Sequence, residues 1–148
     1  MNEMLAAIER LRFAARTLPG ILAGFSEADS EQRPSPDRWT RKEVLGHLID
    51  SASNNHQRFV RGQVASGQVF PGYEQEQWVR IQGYQSARWS DLIDLWRAYN
   101  AHLLHVIGCM TDEGRRSSHL MWPRPLYNPH TEPQLSSVWP YKQRFRLL

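Results

Sequence analysis

Trp39-Thr40-Arg41-Lys42-Glu43-Val44-Leu45-Gly46-His47-Leu48-Ile49-Asp50-Ser51 joins a helix start signal to an apolar stripe and a histidine. Thr40 is placed to accept a hydrogen bond from the Glu43 amide while the Glu43 carboxylate reaches back to the Thr40 amide, so a helix is predicted to begin at Arg41. At roughly 100° per residue, Val44, Leu48, Ala52, Asn55 and Phe59 fall within about 80° of one another, and Leu45 and Ile49 widen the stripe. That face should enter a core, with the helix running to about Val64.

His47 lies beside the stripe, in a row with Asp50, Ser51, Asn54, Arg58 and Arg61. Two readings are open. In one, the row is a solvated helix face and His47 is satisfied by water or by Asp50 one turn away. In the other, it lines a crevice between helices, where an imidazole can coordinate a metal or move protons near neutral pH.

Working outward, Met4, Leu5, Ile8, Leu11, Ala15 and Leu18 repeat at three and four residues, predicting a helix over Asn2–Leu18 that Pro19-Gly20 ends. Ile21–Phe25 can add a further apolar turn, and Ser26–Pro36, polar with two prolines, reads as a loop. Tyr73–Gln82 is expected to form a short helix, a lid or brace, that carries Trp78 and Ile81 inward. At Ser90 an N-cap followed by Asp91 and Asp94 predicts a long helix to about Met110. Its stripe is Leu92, Leu95, Trp96, Tyr99, Leu103, Val106, Ile107 and Met110. His102 and His105 flank that stripe three residues apart: they are either further metal donors or structural and solvated residues. Cys109 has no evident activating partner and is expected to be a buried, inert thiol.

The 148 residues suit a single domain with a real core. One cysteine allows no intrachain disulfide, which fits a reducing cytosol. No apolar run approaches the roughly 18 residues of a membrane span, and the N-terminus lacks the order of a signal peptide, so a cytoplasmic protein without a membrane partner is expected. Of the charges, residues 1–110 hold 12 Lys+Arg and 12 Asp+Glu and residues 111–148 hold 6 and 3, so the whole net charge of +3 sits in the tail. The balanced remainder lacks the basic stripe of a nucleic-acid binder, and none is expected as a partner. Five of the nine prolines, Pro123, Pro125, Pro129, Pro133 and Pro140, interrupt the tail, where a long helix cannot persist. No Gly-rich phosphate loop, paired-cysteine motif or Gly-x-Ser-x-Gly elbow is present.

The opening stretch, continued by Asn54-Asn55-His56-Gln57-Arg58-Phe59, Phe70-Pro71-Gly72-Tyr73, Gln77-Trp78-Val79, Gln82-Gly83-Tyr84 and Leu95-Trp96-Arg97-Ala98-Tyr99-Asn100-Ala101-His102-Leu103-Leu104-His105-Val106-Ile107, resembles the DinB-like family of metal-dependent bacterial proteins. The likeness covers roughly residues 1–110. It implies an all-α four-helix bundle, often a homodimer, in which three histidines bind zinc or nickel. One ligand would be His47. The other two come, in the family, from a His-x-x-x-His pair on the last helix, which this chain lacks: after residue 110 it has only His119 and His130. Residues 111–148 thus form a divergent tail, the bundle's last element being atypical, truncated or frame-shifted. Apolar faces left without a partner would favour dimerisation or docking of Trp122, Trp139 and Phe145.

Two functions follow from the resemblance. The first is a metal-dependent hydrolase or thiol transferase acting on a small molecule, with His47 as metal ligand and Asp50 and Asn54 behind it or orienting substrate. His102 and His105 are the reserve ligands, and the donor set is incomplete, so the metal is present or absent. The second is a non-catalytic binding or dimerisation module of a stress-response type.

Overall fold

The computed structural model describes residues 3–65, 69–111 and 113–114. Its regular elements are helices: α1 (Glu3–Leu22), α2 (Glu27–Glu31), α3 (Arg41–Val64), α4 (Gln75–Gln82), a 3₁₀ turn at Tyr84–Ser86 and α5 (Trp89–Cys109), with no strand among the described residues. The chain is therefore all-α. Residues 115–148 of the tail, its tryptophans included, lie outside the described residues.

α3 begins as its capping box dictates, the Thr40 side chain accepting from the Glu43 amide and the Glu43 carboxylate from that of Thr40. Val44, Leu45, Leu48 and Ile49 of α3 pack with Leu18 and Leu22 of α1 and with Trp89, Leu92, Ile93 and Trp96 of α5. At the other end Phe59 meets Ile8 and Leu11 of α1, Leu103 and Ile107 of α5, and Met110 just past its end. The pairing order makes α1 antiparallel to α3 and makes α5 parallel to it. A parallel pair needs a connection that travels back the length of the bundle, and α4 with the 3₁₀ turn supplies it.

Several expectations need correcting. α1 does not stop before Pro19 but carries it inside and continues to Leu22. The fully buried Leu18 and Leu22 anchor this last turn against the cost of a proline, which lacks an amide hydrogen and crowds the carbonyl four residues before it. Ser26–Pro36 is not all loop: Ser26 caps α2 in a reciprocal bond with Asp29. α5 starts at Trp89, not after a Ser90 cap. A carboxylate from elsewhere in the fold, that of Glu27, accepts from the Trp89 amide at 3.0 Å, and the Trp89 indole donates to the Leu22 carbonyl at 3.0 Å. The buried face of α5 is rotated toward Ile93 and Asn100, leaving Leu95 exposed and Tyr99 and Val106 half-buried. In α4 the inward residues are Gln75 and Val79, while Trp78 and Ile81 are exposed.

Two features tie the connection to α3. Lys42 is buried and paired with Glu27 and Glu31 of α2. Burial works against its charge, but the hydrogen bonds it donates to the two carboxylates outweigh it and hold the ammonium pKa above its ordinary value. At the end of α4, Gly83 takes φ +61°, the left-handed conformation that favours glycine, and turns the chain so that Tyr84 falls on Gly46. A Cβ at Gly46 would lie 2.1 Å from the Tyr84 ring.

Gly46→Ala is expected to destabilise the fold by about 1–3 kcal/mol through overpacking, although alanine is the better helix former by about 1 kcal/mol. Gly108→Ala, also helical but with open space at its Cβ, should instead be neutral or stabilising. Urea midpoints of the two variants decide the comparison.

Candidate functional site

The wall of the site is set by the Tyr84–Gly46 contact, which brings one phenol hydroxyl over the polar row of α3. Tyr84 donates to Asp50 Oδ1 at 2.6 Å, and the Gln82 amide donates to the same oxygen. Asp50 Oδ2 is buried with no partner among the described residues. One turn earlier His47 is also buried, its ring 5.3 Å from that of Trp39, and its Nδ1 likewise has no partner among the described residues. Ser51 and Tyr73 bring their hydroxyls within 3.3 Å of each other. The Arg58 Nη1 is buried and unpartnered among the described residues, and Arg58 lies close enough to Tyr73 for its charge to be felt there.

Burial sets the electrostatics. With no opposite charge to offset it, the His47 pKa is pushed down to about 4, so at neutral pH the ring is uncharged with a lone pair to offer. Burial also raises the Asp50 pKa, and the hydrogen bonds from Tyr84 and Gln82 pull against that rise. Burial, with the Asp50 hydrogen bond and charge beside it, drives the Tyr84 pKa upward, which keeps this phenol a donor. Tyr73 is raised by burial as well, and by the Asp50 charge.

The solvated-face reading of His47 and Asp50 is overturned, since both are buried. Along the row Ser51, Asn54 and Arg58 are half-buried, and only Arg61 at its end is exposed. Asn54 spends its amide on the Asp50 carbonyl at 2.9 Å. His102 and His105 do not join His47. His102 stacks edge-on against His56, and nine residues of helix separate His56 from His47 by about 13 Å. Cys109 is exposed rather than buried and lies 3.7 Å from His105 Nε2. Among the described residues no three His, Cys, Asp or Glu side chains are grouped to hold a metal ion. The tail histidines His119 and His130 lie outside the described residues.

Sequence reasoning assigned no role to Trp39, Tyr73, Gln82 or Tyr84. The available signal was Gly83, whose place between two polar-tipped residues marks a sharp turn, but nothing in the sequence said on which helix that turn would land.

The profile of the DinB superfamily matches residues 10–133, reaching beyond the residue 110 at which the sequence likeness was expected to end. The chain belongs to the DinB superfamily. No curated protein and no solved structure matches it. No helix among the described residues is long and apolar enough to cross a membrane.

The buried histidine makes stability depend on pH in a definite direction. Between the unfolded value near 6.5 and the folded value of about 4, the unfolded chain binds the extra proton, so stability falls as pH drops through that window and levels off below it. The loss attributable to His47 is about 3 kcal/mol in order of magnitude. It is read as the difference between wild type and His47→Gln in denaturant unfolding at stepped pH, which also cancels the opposing contribution of Asp50. A difference that stays flat from pH 7 to pH 4 would contradict the assignment.

Proposed function

We propose that the protein is a metal-dependent DinB-like hydrolase or thiol transferase, with a divalent ion, zinc or nickel, held at His47. The observation that carries this reading is the pair His47 Nδ1 and Asp50 Oδ2, buried polar atoms one helical turn apart that have no partner among the described residues. A polar atom buried without a partner costs about 1–3 kcal/mol. Buried polar atoms without a partner call for an explanation, and a bound ligand at this turn of α3 supplies one.

A neutral imidazole nitrogen and a carboxylate oxygen are the donors that zinc and nickel take, so these residues fit the ion. Asp50 gains a larger part than the sequence suggested, as second donor through Oδ2 while Oδ1 is oriented by Tyr84 and Gln82. When bound, such an ion supplies Lewis acidity that makes water or a thiol nucleophilic at neutral pH. The chain's own residues do the rest. Trp39 walls the imidazole from water, Tyr84 keeps a hydrogen on the Asp50 side, and Ser51, Tyr73 and the Asn54 oxygen offer polar contacts to a small substrate. The Arg58 guanidinium beside Tyr73 favours a substrate with a negative group. Cytoplasmic action on a small molecule, as a homodimer, fits this reading. Exposed Leu5, Ile21 and Leu95 offer apolar surface for a second copy or for the tail.

The alternative, a non-catalytic binding or dimerisation module, draws on the absence of a three-donor group among the described residues and on the bracing value of the Tyr84–Asp50–Gln82 network. Metal content separates the two. After equilibration with zinc or nickel and exhaustive dialysis, wild type is expected to retain about one ion per chain more than His47→Ala. A wild type that emerges free of metal removes the metal-dependent reading and leaves the binding module.

A further inference from the structure

Nine residues beyond His47, on the other side of α3, a second set of imidazoles collects. His56 of α3 and His102 of α5 have ring centres 5.1 Å apart, their planes at 77°. His56 Nδ1 lies 3.3 Å from the Tyr99 hydroxyl. His105 follows one turn along α5, its ring 6.3 Å from that of His102. His56 is half-buried, and His102 and His105 are exposed, so solvent and solutes reach the group.

We propose that His56 and His102 form a clamp for a divalent first-row transition ion, independent of the His47 site. Two imidazoles that share a tetrahedral ion, with metal–nitrogen distances of about 2.0–2.1 Å, have ring centres about 5 Å apart. That is the spacing already present across the α3–α5 interface. When Nδ1–H of His56 donates to the Tyr99 oxygen, the tautomer is fixed and the Nε2 lone pair is left for the ion. Imidazole donors select nickel, copper and zinc over magnesium and calcium. No three ligating side chains converge among the described residues, so the clamp is bidentate, completed by water, with His105 as the nearest further imidazole. An ion held there joins α3 to α5 beside the Phe59, Leu103 and Ile107 cluster. It stabilises the folded chain because only folding brings residues 56 and 102 together.

The test is thermal unfolding of the full, tag-free chain with increasing nickel chloride, and again with zinc chloride. With the His47 site removed, His47→Ala is expected still to gain several degrees in Tm as metal rises, whereas His47→Ala/His56→Ala and His47→Ala/His102→Ala gain none. Retention of the gain in both double variants overturns the clamp, as does its loss in His47→Ala, or in His47→Ala combined with His119→Ala or His130→Ala while His56 and His102 are intact. Equal metal-free Tm values across the set show that the substitutions have not simply unfolded the chain. Substoichiometric copper(II) gives a second readout: the imidazole resonances of His56 and His102 should broaden first, and broadening that begins at any other histidine counts against the proposal.

Discussion

The contact between the Tyr84 ring and the bare backbone of α3 at Gly46 organises the rest of the structure. Without a side chain at 46, the ring lies against the helix and its hydroxyl reaches Asp50 one turn away. The same contact fixes the end of α4 and brings Gln82 to the same carboxylate oxygen. Any side chain at 46 would move the wall of the site before it touched the site itself.

A second constraint works from the far side. The buried Lys42 ammonium draws Glu27 and Glu31 of α2 onto α3, and Glu27 then caps α5 through the Trp89 amide. One buried cation therefore ties α2 to α3 and, through Glu27, to the start of α5. Burying a charge is costly unless it is paired and hydrogen-bonded, and Lys42 meets that condition while His47 escapes it by staying neutral. The polar atoms with no partner among the described residues include two on adjacent turns of α3, which distinguishes the crevice from the satisfied network around Lys42.

Much of the fold is legible in the sequence because helix formation is local. The Thr40–Glu43 box places the start of α3 to the residue, and the three long amphipathic stretches become the three long helices. Legibility fails where a distant group takes part. Ser90 has the chemistry of a cap, but Glu27 performs the task a residue earlier. The stripe on α5 includes Leu95 by periodicity, yet the bundle turns that helix toward Ile93 and Asn100. Trp78 and Ile81 read as inward by hydrophobicity, whereas the short α4 buries Gln75 and Val79. Of the site, His47, Asp50 and Asn54 could be named from one helix face, while Tyr84, Gln82, Tyr73 and Trp39 could not.

The sequence by itself determined that the chain is helical, that 39–51 opens the helix bearing the histidine, and that the chain is a member of its superfamily, because capping and periodicity act within a few turns of chain. Only the tertiary structure decided that His47 is buried and neutral, that Tyr84 and Gln82 meet on one Asp50 oxygen, and that His102 lies against His56. Those outcomes depend on which helix faces meet across tens of residues, and packing of whole helices, not the spacing within any one, chooses the faces.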